Sequence, residues 1–152
     1  MKEQMYPEGI DCVWIASDRA GCVAAFVTAG MGPIPYEVFY GAIELQDIEE
    51  QVCQLPDVSS ARRLIELELP NDYVDMASKG FFVYDWQDIH RAEVNCSRAY
   101  EPITRPSNPI SVVELPSPLR SVVEGVKFRK VLFADGGNIA VVDEFQTYQS
   151  SM

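Results

Sequence analysis

DCVWIASDRAGCVAAFVTAGMGPIP, residues 11–35, holds two runs rich in Val, Ile, Trp and Phe, Cys12 to Ser17 and Cys22 to Thr28, joined through turn-forming Asp18 and Gly21. Apolar, β-favouring runs on either side of such a turn read as a β-hairpin. Neither run alternates between apolar and polar. Val13, Ile15, Val23 and Val27 fall on one face, and Cys12, Trp14, Ala24 and Phe26 on the other. Strands that are apolar on both sides are covered on both sides, which places this hairpin inside the sheet.

The same stretch ends in Gly30-x-Gly32 followed by Pro33, Ile34 and Pro35. A dinucleotide fingerprint needs a third glycine and a helix N-terminus, and a P-loop needs a following Lys and Ser or Thr. The two prolines also remove amide donors where a phosphate requires them. The segment therefore reads as a stiff corner at the edge of a sheet.

Working outward, Leu45, Ile48, Val52 and Leu55 recur at helical spacing, with Asp47, Glu49, Glu50, Gln51 and Gln54 between them, and Pro56 stops the run. This is an amphipathic helix with an acidic exposed face. In RRLIELELP, residues 62–70, Ile65, Leu67 and Leu69 alternate with Leu64, Glu66 and Glu68, the period of a half-exposed strand. Asn71 as N-cap, Asp72 in the first turn, and Lys79 then Gly80 at the end predict a short helix. FFVYDW, residues 81–86, then reads as a buried strand with an acidic exit, DWQDIH.

Five of the ten prolines lie between 102 and 118, which confines that segment to edge strands and loops, with Ile110 to Leu115 the best strand in it. Ser117 as N-cap and Pro118 at the first helical position open another short helix that Gly125 ends. VKFRKVLFADGGNIAVVDEF, residues 126–145, reads as a second hairpin turning at DGGN. Together these elements predict an α+β fold: a single globular domain over residues 1–152, with a mainly antiparallel sheet, two hairpins and about three short helices.

The chain carries a net charge of −11, and residues 20 to 90 alone hold twelve acids against Arg62, Arg63 and Lys79. A field of this sign repels nucleic acid and anionic membranes and attracts cationic partners. No apolar run approaches the roughly 20 residues that span a bilayer. The N-terminus, MKEQMYPEGIDC, lacks the apolar stretch of a secretory signal, so a cytoplasmic location is expected.

Catalytic chemistry has few footholds. Cys12, Cys22, Cys53 and Cys96 lack the close pairs of zinc or redox motifs and read as reduced, buried thiols. The single histidine, His90, lies near Asp85 and Asp88, which gives too few ligands for a catalytic zinc site. A nucleophile pair of His90 with Cys53 or Cys96 has no local support. The carboxylates fall on solvent-facing sides, where shifted pKa values are least expected. No catalytic residue, metal or cofactor is predicted.

What remains is a contact surface. Asp47, Glu49, Glu50, Glu66, Glu68, Asp72, Asp75, Asp85 and Asp88 suit a partner rich in Lys and Arg, with Trp86 and Tyr73 as aromatic anchors; Phe82 and Tyr84 read as core. A small, acidic, single-domain α+β chain carrying such a surface resembles the immunity proteins of bacterial toxin systems. The resemblance implies a non-enzymatic cytoplasmic inhibitor whose partner is a cognate toxin, often a cationic nuclease, blocked at its active site. The alternative is a small enzyme or ligand-binding domain built on the Gly30–Pro35 corner and the His90 region.

Overall fold

The structure, a computed structural model, describes residues 6, 7, 9–64, 71–86 and 99–149, without the side chains of Asn71 and Asp72. The hairpin is present as β1 (Val13–Ser17) and β2 (Val23–Val27), antiparallel, with Trp14 opposite Phe26 and Ile15 opposite Ala25. Every residue of both strands is buried, as their apolar pattern requires. The turn is set by Asp18, whose Oδ1 accepts the amides of Ala20 and Cys22, both at 2.9 Å.

Two further short strands, β3 (Ile34–Pro35) and β4 (Ala61–Arg63), precede β5 (Phe82–Asp85) and β6 (Glu101–Pro106), and β7 (Tyr148–Gln149) ends the described chain. Five of them form one sheet in the order β1-β2-β5-β6-β4, while β3 and β7 make a separate two-stranded pair. An isolated parallel bridge joins Ser17 to Lys127, and among the described strands β2 and β5 are the pair that runs parallel. The connection between them carries helices α1 (Leu45–Cys53) and α2 (Asn71–Ser78), as a crossover between parallel strands must. The first hairpin thus has one inner strand, β2, and one at the sheet's edge, β1. Burial on both faces did not require an interior position, because helices α1 and α3 (Ser117–Gly125) pack on one face of β1 and the rings of Tyr100 and Phe128 pack on Trp14 on the other.

The two faces of the sheet are filled differently. Trp14, Phe26 and Tyr84 share one face by register, and their rings stack at 4.1 Å and 4.9 Å between centroids. Tyr100 and, from the C-terminal segment, Phe133 close edge-on over Phe26, while Phe128 stacks on Trp14. Such offset and edge-to-face pairs add to plain burial. On the opposite face α2 is tied down by Thr104, whose hydroxyl donates to the Tyr73 carbonyl at 3.2 Å, and α1 packs beside it. Ser17, on that side too by alternation, donates its hydroxyl to the Val123 carbonyl of α3 at 2.7 Å.

Helix α1 buries Leu45, Ile48 and Val52, the predicted stripe, and ends ahead of Pro56. Helix α2 ends at Gly80, whose φ of 98° lets the Phe81 amide turn back to the Met76 carbonyl at 3.3 Å. Of the half-exposed strand predicted over 62–70, Arg62 and Arg63 fall in β4, which begins at Ala61 and ends before Leu64; residues 65–70 lie outside the described ones.

Three expectations are corrected. Residues Ile110 to Leu115 are not a strand: Val112–Glu114 is a 3-10 turn, and the strand of the proline-rich segment is β6. The cause is a capping box, Ser111-x-x-Glu114, in which the Ser111 amide donates to Glu114 Oε2 at 2.7 Å. Helix α3 takes Pro116, not Ser117, at its cap position, and its first turn is held by the Arg120 amide on the Pro116 carbonyl. The second hairpin is absent. The Phe128 amide pairs with the Ser17 carbonyl at 2.8 Å, Ile139 exchanges both backbone bonds with Tyr100, and DGGN begins on the last residue of a 3-10 turn, Phe133–Asp135. A four-residue helix, α4 (Val141–Glu144), stands where the returning strand was expected.

Candidate functional site

The acids predicted to form a contact surface divide by environment. On α1, Asp47 and Glu50 are exposed, and Glu44 joins them at the helix start, where Gln46 donates to its carboxylate at 3.1 Å. Asp47 in the first turn also complements the helix dipole, and no base occupies the last turn. On α2, which packs beside α1, Asp75 is exposed. Lys79, just past the end of α2, is bound to Asp57 at 2.6 Å, which neutralises the one lysine of this face. Glu66, Glu68, Asp88 and His90 lie outside the described residues, as does the side chain of Asp72.

A second group gathers at one end of the sheet. Asp11 precedes β1, Thr28 follows β2, Asp85 ends β5 and Glu101 opens β6, and the antiparallel β1–β2 and β5–β6 pairs, joined by the parallel β2–β5 pair, bring these positions together. Asp85 is half-buried and accepts the Tyr73 hydroxyl at 3.3 Å. Burial pushes its carboxyl up to about 6; the bond from Tyr73 opposes that shift, and Asp11 and Glu101 add to it. The same burial, with the Asp85 charge, raises the Tyr73 hydroxyl well above its usual range. Asp85 therefore departs from the expectation of an unperturbed, solvent-facing acid. Its orientation on the helical face, under Tyr73, explains why.

Trp86 is corrected as well. It is only 8% exposed and packs edge-on to Tyr100, so it belongs to the core and offers no anchor to a partner. Tyr84 and Phe82 are core, as expected. An exposed aromatic that the sequence reading missed is Tyr40, 58% exposed at the end of the 3-10 turn Tyr36–Tyr40, four residues before Glu44. The signal was available in YEVFY: Val38 and Phe39 go inward, so Tyr40 is left outside, while Tyr36 is half-buried.

The Gly30–Pro35 corner uses its own donors. Thr28 takes the Gly30 amide on its hydroxyl at 3.2 Å and the Met31 and Gly32 amides on its carbonyl at 3.1 Å and 2.8 Å. The carbonyls of Gly32 and Pro33 accept the hydroxyls of Tyr6 and Tyr100 at 2.6 Å and 2.9 Å. No row of amides is left pointing outward for a phosphate. A closed structural corner is what the two prolines implied.

The thiols of Cys12, Cys22 and Cys53 are half-buried, not fully buried as expected, and Cys96 lies outside the described residues. Burial, and then Asp11 and Glu49, push the Cys12 thiol up; burial and then Asp18 do the same for Cys22. A raised thiol pKa leaves little thiolate, the nucleophilic form. Among the described residues no group of His, Cys, Asp or Glu is arranged to hold a metal, and no helix is long and apolar enough to cross a membrane. No family model, no curated protein and no solved structure matches this chain.

Proposed function

We propose that this chain is a binding protein of the immunity type, which neutralises a cationic toxin domain in the cytoplasm by occluding its active site. The observation that carries the reading is the row of exposed carboxylates formed by Glu44 at the start of α1 and Asp47 and Glu50 on it, with Asp75 on the adjoining α2, none of them ion-paired among the described residues. Regular helices hold these charges at fixed spacing. Tyr40, exposed four residues before Glu44 in the chain, supplies an apolar contact. A partner that grips anionic substrate with Lys and Arg presents the complementary surface.

Charge alone steers encounter more than it sets final affinity, so the test is kinetic. The triple variant Asp47→Lys, Glu49→Lys, Glu50→Lys should slow association with the toxin about tenfold at low salt and flatten its salt dependence. In cells, the product of the adjacent gene should arrest growth only when this chain is missing. Absence of toxicity together with absence of a complex would overturn the proposal.

A further inference from the structure

At the far edge of the sheet, β4 and β6 set Arg62 directly opposite Arg105. Two guanidinium groups in cross-strand register repel one another, and a sheet gains nothing from the pairing. Neither is ion-paired to a carboxylate among the described residues, in a chain that has nearly two acids for every base. Arg105 is instead steadied over the Phe82 ring, 5.4 Å from its centroid, which fixes its position without neutralising it.

The two arginines line an open groove of about 550 Å³ together with Ser60, Ala61, Pro106 and Ser107. Hydroxyls collect at the same spot: Ser107 Oγ lies 2.7 Å from Ser60 Oγ and 3.2 Å from Ser59 Oγ, and accepts the Ser60 amide at 3.2 Å. The Ser107 amide returns to the Ser60 carbonyl at 2.9 Å, so the loop ends are clamped across the strands. The groove thus offers two cations, Arg105 held over a ring and Arg62 exposed, and rotatable hydroxyl donors in one concavity. It lies on a different element pair from the acidic helices.

We propose that this groove binds a dianionic phosphoryl group, as free phosphate or as the phosphomonoester of a small molecule. Two guanidinium groups match a charge of minus two better than the single charge of a carboxylate, and each can form paired N–H···O bonds to phosphate oxygens. Ser60 Oγ, exposed at the groove, donates to a remaining oxygen. Bound between them, the anion converts the Arg62–Arg105 repulsion into a bridge, so binding also fastens edge strand β4 to β6.

The test uses the full chain alone, independent of any toxin. Arginine Nε–Hε resonances are followed while inorganic phosphate, phenyl phosphate or sodium acetate is added at constant ionic strength. Phosphate should give saturable shifts of Arg62 and Arg105, with acetate at least about tenfold weaker. Tighter binding of phenyl phosphate identifies an ester as the ligand; equal or weaker binding identifies free phosphate. Arg62→Gln, on the exposed edge strand, should weaken phosphate at least about tenfold and abolish the rise in Tm that phosphate gives the wild type, while its Tm without phosphate is held or raised. Arg105→Gln should weaken phosphate similarly. Shifts that do not saturate, acetate binding as well as phosphate, or an Arg62→Gln variant that binds undiminished would each overturn the proposal.

Discussion

Replacing Gly32 by Ala tests how tightly the corner is built into the core. A Cβ on Gly32 would meet the Tyr100 hydroxyl oxygen, approach Tyr100 Cζ to 2.8 Å and Trp86 Cβ to 3.0 Å. Tyr100 cannot swing away, because it is fully buried, accepts Trp14 Nε1–H at 3.1 Å and donates to the Pro33 carbonyl at 2.9 Å. Inserting a methyl group into such a site costs about 1–3 kcal/mol. Tyr100→Phe removes the oxygen but leaves a buried indole N–H and a carbonyl unsatisfied, at about 2–4 kcal/mol for the two. Combining them relieves part of the crowding, so the double variant should fall short of the sum of the single costs by about 1 kcal/mol. Urea unfolding at pH 7, followed by tryptophan fluorescence, measures all three; with a slope of about 1–3 kcal/mol per molar, each single variant moves the midpoint by about 1 M. Additivity within about 0.5 kcal/mol, or a Gly32→Ala cost below that, would refute the packing described.

The pH dependence of stability should carry a signature of Asp85. Its folded pKa, about 6, lies above the unfolded value of 3.8, so the folded state holds the extra proton between those limits and stability falls as pH rises through that window. Asp85→Asn should therefore stabilise the protein at pH 7, by about 1–2 kcal/mol once partial solvent screening is allowed for, and flatten the pH 4–6 slope; thermal unfolding across pH reads both. Asp18, 1% exposed, accepts the amides of Ala20, Cys22 and Phe133. Asp18→Ala should cost about 3 kcal/mol or more in urea unfolding, since charge-assisted bonds of this kind are worth about 1.5–3 kcal/mol each; a loss under 1 would show that water replaces the carboxylate.

Local patterns led to the elements whose stability is local. The β1–β2 hairpin follows from its apolar runs and turn, and α1 from the spacing of Leu45, Ile48 and Val52. The second hairpin failed for a long-range reason: Phe133 is claimed by Asp18, and Ile139 by Tyr100, residues distant in the chain. The turn at Val112–Glu114 was legible in Ser111-x-x-Glu114, a signal that the density of prolines obscured. For the site, the exposed acids of α1 and Asp75 could be read from amphipathic spacing. Trp86 and Asp85 could not, because strand β5 is covered on both faces and its exit residues are packed by tyrosines from α2 and the start of β6. The groove at Arg62 and Arg105 depends on strand register across the sheet, which a single sequence does not specify.

The pairing of β2 with β5, and of Ser17 with the backbone at 126–128, joins segments that are far apart in the chain. The β1–β2 hairpin closes over a short loop, at little entropic cost, whereas Phe128 and Phe133, which cover its aromatic face, come from near the other end of the chain. Such sequence-distant contacts slow folding relative to helical proteins of the same size. During synthesis the hairpin with Trp14 and Phe26 must therefore wait, exposed, while most of the chain emerges from the ribosome.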